Sequence, residues 1–279
     1  MINFNGNITA DSSNLLINNR SFLYGDAVFE TLKIINHKIL FLEDHYFRLM
    51  ASMRILRMEI PMDFTMENID NQILTLAKAN NCEDAARVRM TVYRNDGGYY
   101  LPINNTISYL ITISPTKNSL YFIDKTAYEV ELYKDFYISK QLISTIKSTN
   151  KAIYITGSIF ANENGYDNCL LLNENKNIIE ALNGNLFMLI NNKLITPPIS
   201  EGCLNGIMRK QILALAKKIE NIEVIEEVIS PFDLQKADEL FITNVISGIQ
   251  PITTYRKKTF ETVLANKLLV LLNDFIVSN

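Results

Sequence analysis

Apolar positions recur along the chain with two periods, and the switches between them mark the elements. Residues 2–4 and 28–41 read as strands; "VFETLKII" and "KILFL" are separated by "NH" at 36–37, a dipeptide that suits a turn. "EDHYFRLMASMRILRM" at 43–58 changes to helical spacing, with Phe47, Met50, Ala51, Ile55 and Met58 at recurring positions. A second helix is predicted at about 65–80, with Ile69, Ile73, Leu76 and Ala77 on one face. Two strands follow, "ARVRMTVYR" (86–94) and "ISYLITIS" (107–114), so the first half is antiparallel α+β in character.

"PTKNSL" at 115–120 is polar and contains proline, which suggests a linker over 115–124 between domains 1–114 and 125–279. Beyond it "AYEVELY" and "FYISKQLI" look extended, and a helix is predicted at roughly 149–163. Short strands are expected at 168–173, 177–181, 185–190 and 193–196, joined by turn-rich "NENKN" and "INNK". "NGIMRKQILALAKKIE" at 205–220 is the cleanest helix: Ile207, Ile212, Leu215, Ala216 and Ile219 form its stripe, with Asn205 as candidate N-cap. A strand (223–229), a short helix (231–237), a strand (239–245) and a helix (259–276) complete the pattern. Two α+β domains are expected, with a ligand site in the cleft between them.

Composition narrows the function classes. Apolar residues make up 48% of the 279 positions and charged residues 20%, enough for a sizeable core. Net charge is −3 and no basic cluster stands out, so neither nucleic acid nor membrane is expected as a partner. "MINFNGNITADSS" has no basic or apolar leader pattern, and "LLVLL" at 268–272 is too short to span a bilayer. Three scattered cysteines, Cys82, Cys169 and Cys203, fit a reducing cytoplasm better than a disulfide framework. Two histidines, no CxxC and no HExxH give no zinc pattern, so no metal is expected. Rossmann and P-loop glycine motifs are missing.

Candidate chemistry begins with "TIKSTNKAIYITG" at 145–157. Lys147 and Lys151 stand four apart, and a helix would place both on one face, where like charges repel. Burial and a neighbouring cation both push a lysine toward a neutral, nucleophilic amine. A solvated helix face is the competing reading of this stretch alone.

Seven stretches decide between them: "RSFLYGDAVFETL" (20–32), "DHYFRL" (44–49), "RVRMTVYR" (87–94), "IKSTN" (146–150), "IIEALNGNLF" (178–187), "LNGIMR" (204–209) and "ELFITNVISGIQPI" (239–252). In this order and spacing the chain resembles the fold-type IV pyridoxal-phosphate enzymes, the class IV aminotransferase family, from Ile2 to about Thr254. The family includes branched-chain and D-amino-acid aminotransferases and 4-amino-4-deoxychorismate lyase. The resemblance implies a two-domain D-amino-acid-aminotransferase-like fold, a pyridoxal 5'-phosphate cofactor, a small-molecule substrate and a homodimer with residues from both subunits near each site.

It also implies roles. Lys147 matches the Schiff-base lysine, which later acts as mobile acid and base, and Glu180 matches the glutamate facing the pyridine nitrogen. Arg48 matches a phosphate-binding arginine. Ile207 and Met208, after Gly206, would offer phosphate their helix N-terminal N–H groups; Asn244 and Val245 match a second phosphate-contacting turn. Thr31 matches a threonine that handles protons in the lyase, Tyr24 a tyrosine lining the substrate pocket, sometimes from the partner subunit, and Arg94 a substrate-carboxylate contact. Lys151 stands where aminotransferases often carry tyrosine and the lyase another residue, sometimes basic. Thr31, Lys151 and "ITNVISGIQP" favour the lyase, which releases pyruvate and 4-aminobenzoate in folate synthesis, over an aminotransferase for branched-chain or D-amino acids. The third alternative is a catalytically silent homologue that serves as a binding protein; the intact Lys147, Glu180 and Arg48 argue against it.

Overall fold

Alternating side-chain directions along the strands of the first half of the chain build one sheet with two unlike faces. The computed structural model describes residues 1–10, 18–117, 120–123 and 126–278. The chain divides into two units, Met1–Leu120 with Ile146–Asn150, and Tyr121–Thr145 with Lys151–Asn279.

The first unit contains β1 (Ile2–Phe4), β2 (Asn7–Thr9), α1 (Arg20–Tyr24), β3 (Ala27–Ile35), β4 (Lys38–Ile39), α2 (Leu42–Ile55), α3 (Met66–Ala79), β5 (Ala85–Arg94) and β6 (Ile107–Pro115). Its six strands run in the order β2-β1-β6-β5-β3-β4, antiparallel throughout. Register sets Val28 opposite Val92, Leu32 opposite Val88 and Ile34 opposite Ala86. These residues bury one face against Leu49 and Met53 of α2 and Ile73 and Leu76 of α3. The alternate positions Phe29, Thr31 and Lys33 pair with Thr91, Arg89 and Arg87 and occupy the other face.

The second unit contains β7 (Glu129–Ile138), α4 (Ala152–Glu163), β8 (Asn168–Asn173), β9 (Ile178–Ala181), β10 (Asn185–Ile190), β11 (Lys193–Thr196), α5 (Ile207–Ala216), β12 (Glu223–Glu226), β13 (Glu239–Asn244), β14 (Gly248–Ile252), β15 (Thr254–Tyr255), β16 (Lys258–Thr259) and α6 (Val263–Ser278). Two five-stranded sheets result, β12-β11-β10-β13-β14 and β16-β15-β7-β8-β9. Their continuous apolar runs are buried on both faces: Leu170, Leu186, Leu240 and Ile242 share one core, while Tyr133, Ala161, Leu171 and Ile179 form another under α4.

Several expectations are corrected. "AYEVELY" and "FYISKQLI" form one strand, β7, followed by a 3₁₀ turn at Leu142–Thr145. The helix expected from 149 starts only at Ala152, so Lys147 and Lys151 do not share a helical face. The helix expected over 205–220 is confined to Ile207–Ala216. The segment that carries Lys147 does not belong with 125–279: Phe29 N–H donates to the Lys147 carbonyl (2.8 Å) and Thr149 N–H to the Ala27 carbonyl (3.0 Å), which ties it to β3 in the first unit. The expected linker 115–124 contains positions 118, 119 and 124, and the second domain was expected to open at 125; these four lie outside the described residues. Among the described residues no helix is long and apolar enough to cross a membrane.

Candidate functional site

Main-chain pairing fixes the backbone of Lys147, with Ser148 bridging Val28. The side chain then reaches Phe29 on the outer sheet face, its Nζ 4.7 Å from the ring centroid. The Arg89 guanidinium lies 3.8 Å from the same centroid. Thr31 is the register partner of Arg89 and so borders this group. Lys33 and Arg87 extend the cationic character of the face; burial pulls Lys33 down to about 8. Burial, and after it the Arg87 charge, also pulls Arg89 below its ordinary range. An anion placed here would relieve repulsion between neighbouring cations.

Glu30 points the other way, toward α2, and is only 2% exposed. Arg48 clamps it through Nε to Oε1 (2.8 Å) and Nη2 to Oε2 (2.5 Å), and His45 Nδ1 lies 2.7 Å from Oε2. Burial alone would raise the Glu30 pKa, but the Arg48 charge and the His45 and Arg48 hydrogen bonds bring it down to about 2. Burial lowers His45, against the pull of Glu30, so a neutral ring donates Nδ1–H to the carboxylate. The two-point clamp fixes the plane of the Arg48 guanidinium.

A depressed carboxylate pKa gives stability that is present above the unfolded value and lost as pH falls through the folded one. The Glu30 contribution should therefore be complete above about 4.5 and fade toward about 2. The stability gap between wild type and Glu30→Gln, measured by urea unfolding, should narrow across that window and stay constant above it.

Arg94 departs from expectation. It is 6% exposed, with Nε on Asp26 (2.9 Å), Nη1 on the Arg57 carbonyl (3.2 Å) and Asn105 Oδ1 (2.5 Å), and Nη2 on the Leu56 carbonyl (2.6 Å). Every nitrogen is committed within the protein, so Arg94 holds loops together instead of reading a substrate carboxylate. Asp26 Oδ2 also accepts from Arg20 Nε (2.9 Å), and Arg20 Nη1 holds the Tyr99 carbonyl (2.6 Å). Tyr24 joins this cluster, its ring 5.8 Å from that of Tyr100.

In the second unit, β9 carries Glu180 at 3% exposure. Its Oε1 accepts from the Tyr154 hydroxyl (2.5 Å) and its Oε2 from Leu204 N–H (3.0 Å). Lys151, the N-cap of α4, has Nζ 4.2 Å from the Tyr154 ring centroid. Burial lowers the Lys151 pKa while the Glu180 charge opposes it. Cys203 is pushed up to about 12, first by burial and then by Glu180.

Helix α5 opens on Gly206, whose N-cap position supplies no side-chain hydrogen bond to the first turn. A Cβ at Gly206 would run into Asn185 Oδ1, whose amide nitrogen donates to the Leu204 carbonyl, so a larger residue at this position must displace that side chain. The Ile207 and Met208 side chains are buried, leaving their N–H groups as the chemistry at that helix end. In the turn after β13, Asn244 Oδ1 accepts from Ile246 N–H (3.0 Å) and Ser247 N–H (2.8 Å). The Tyr121 hydroxyl donates to the Val245 carbonyl (2.5 Å), and Gly248, at φ 72°, presses against the Tyr121 ring. The turn is thus held from inside and beneath.

Sequence reasoning missed Arg89, Phe29, Tyr154 and Tyr121. Arg89 was findable: it alternates with the core positions Val88 and Met90, so period two puts it on the face of Thr31. The Tyr121–Val245 bond spans 124 positions and leaves no local signal.

Residues 27–255 match the family described as amino-transferase class IV, and the chain belongs to that family. A protein of Methanocaldococcus jannaschii, provisionally named a branched-chain-amino-acid aminotransferase, is 33% identical over 235 residues, 82% of this chain and 78% of its own length. The fold is that of fold-type IV enzymes. A branched-chain amino acid aminotransferase from Thermobaculum terrenum, solved in its PLP form, superposes with TM-score 0.86 at 24% identity, covering 99% of this chain and 93% of that one. A Legionella pneumophila protein, provisionally titled a 4-amino-4-deoxychorismate lyase, gives TM-score 0.84 at 23% identity over 95% and 96% of the two chains.

Pyridoxal phosphate is the cofactor of this family. Taken separately, each unit carries groups of a kind that suits it: the first an amine beside an aromatic ring, the second a buried carboxylate and a helix N-terminus with no side-chain cap.

Proposed function

We propose that this chain is a pyridoxal-phosphate-dependent aminotransferase for amino acids with apolar side chains, of the branched-chain type, using 2-oxoglutarate as amino acceptor. The observation that carries the proposal is the pairing of Arg89 and Lys147 on one ring, at 3.8 and 4.7 Å from the Phe29 centroid. An α-amino acid bears its carboxylate on the carbon that carries the amine. A guanidinium close to the reactive lysine suits that arrangement, and Phe29 supplies an apolar wall. The provisional name of the Methanocaldococcus relative supports the same reading.

Bound pyridoxal phosphate supplies an aldehyde that captures the amino group and a ring that withdraws electrons from the α-carbon. Lys147 Nζ would take the proton from the substrate α-carbon and deliver it to the former aldehyde carbon of the cofactor, so that the amino group stays with the cofactor and the substrate leaves as its 2-oxo acid. Glu180 holds the proton on the ring nitrogen. Arg48, the N–H groups of Ile207 and Met208, and the turn at Asn244 and Val245 hold the phosphate. Arg89 takes the substrate carboxylate, and Tyr24 lines the pocket for the side chain.

Homodimerisation belongs to the proposal. Phe22, Leu23, Tyr99, Tyr100, Leu101 and Ile103 are exposed, with Tyr100 beside Tyr24, and exposed apolar residues of this number are of the kind that mark an interface. A cytoplasmic location agrees with Cys82, Cys169 and Cys203 all being unbridged.

The second reading is 4-amino-4-deoxychorismate lyase, favoured by the Thr31 position beside Arg89 and by Lys151. An amino-donor panel with 2-oxoglutarate, run beside aminodeoxychorismate with detection of pyruvate and 4-aminobenzoate, separates the two. Rapid transamination without 4-aminobenzoate is expected; the reverse outcome installs the lyase. Thr31→Val sharpens the contrast, because it keeps the shape and removes the hydroxyl. A proton-handling Thr31 predicts a ~10²-fold loss of pyruvate release. The aminotransferase reading predicts transamination within a few-fold of wild type.

A further inference from the structure

Glu180 is held at two points before any ligand is considered. The Leu204 N–H fixes Oε2 from the chain before α5, and the Tyr154 hydroxyl fixes Oε1 from the first turn of α4. Two donors from separate elements determine both the position and the plane of a carboxylate. Tyr154 remains a donor at every ordinary pH, because burial and then the Glu180 charge push its hydroxyl well above the usual range. Lys151 places its ammonium over the Tyr154 ring. Cys203 also faces Glu180 but keeps its proton, with a pKa near 12.

We infer that Tyr154 is a positioning residue for Glu180: its hydroxyl aims the carboxylate and stabilises its charged form, so that the buried acid stays ionised at the low-pH end of the working range. The inference rests on the reading that Glu180 serves the cofactor ring nitrogen. Burial drives a carboxylate toward the neutral acid, and a neutral acid cannot keep the ring nitrogen protonated through charge. Donation into Oε1 opposes that drift. Removing the donor withdraws support from the charged form only. The carboxyl pKa then rises, and loss of function on acidification begins at higher pH.

The test compares wild-type holoenzyme with Tyr154→Phe, Glu180→Gln and the double variant. Tyr154→Phe should move the acid limb of the kcat/KM profile upward by ~0.5 pH unit or more, and the visible absorbance change of the bound cofactor should move with it. Cofactor-free Tyr154→Phe should melt within ~2 °C of wild type. In the Glu180→Gln background, Tyr154→Phe should change turnover by less than ~2-fold, because the group it acts through is gone. An unmoved acid limb in Tyr154→Phe, with Glu180→Gln impaired, overturns the inference and leaves the ring-nitrogen role standing. A lowered melting temperature with an unmoved limb reduces Tyr154 to a packing role and overturns it equally. A fully active Glu180→Gln enzyme removes the ring-nitrogen role itself, and the inference falls with it.

Discussion

Replacing Lys147 with alanine should abolish turnover while leaving the fold in place. The expected loss is ~10⁴-fold or more, the upper end of what one positioned acid–base group supplies, since under the proposed function this amine also carries the cofactor. The protein should survive because the bonds that locate this segment are made by main-chain atoms, the Lys147 carbonyl and Thr149 N–H, which alanine keeps. The side chain itself is only half-buried. Circular dichroism and thermal melting of the cofactor-free variant should therefore match wild type closely. Borohydride reduction of the wild-type holoenzyme, followed by peptide mapping, should leave the cofactor mass on the peptide that contains Lys147. A label on Lys140 or Lys151 instead would reassign the reactive amine.

Glu180→Gln should lower turnover by ~10²–10³, the usual cost of removing one preorganised electrostatic contact. Glutamine keeps the shape, and its carbonyl oxygen can still accept one of the two donors, Tyr154 or Leu204, that now converge on the carboxylate. The negative charge that keeps a pyridine nitrogen protonated is lost. Substrate affinity should change less than turnover, because the ring nitrogen gains its importance as charge develops. Steady-state kinetics on one amino donor, with KM and kcat resolved separately, checks this. A variant with full kcat would remove Glu180 from the chemistry.

The parts of the molecule most legible in the sequence were those governed by local period. The α3 stripe of Ile69, Ile73, Leu76 and Ala77 and the alternation of β5 follow from burying one face, so each could be read without knowing its partner. The stripe expected on α2 was misread: Phe47 and Ala51 are exposed, Met58 lies past the helix end, and α2 buries His45, Leu49, Met50, Ser52 and Met53. The five-residue helix α1 was not anticipated; it depends on an Asn19 cap and a left-handed Gly25, and it is too short to show a period. Strand β14 contains Pro251 and escaped notice for that reason, although it lies at the end of its sheet order, where a proline is tolerated. Among candidate site residues, Lys147, Glu180 and Arg48 were named from motif resemblance, and the structure gives each a defined set of neighbours. Arg94 looked equally chemical in the sequence. Its bond to Asp26, 68 positions away, makes it structural, and no local pattern announces a contact of that range.

The attachment of Ile146–Asn150 to β3 also bears on how this chain could be cut, grafted or permuted. The first unit is discontinuous in sequence, so no single cleavage separates it whole from the rest. A fragment ending at Leu120 would leave the main-chain partners at Ala27 and Phe29 without their mates. A chimera that exchanged everything after that point for a relative's sequence would lay a foreign five-residue insert along the native strand. Lys147 is thus inherited with one stretch of chain and aligned by another, and recombination can part the two only by moving both ends of that insert together.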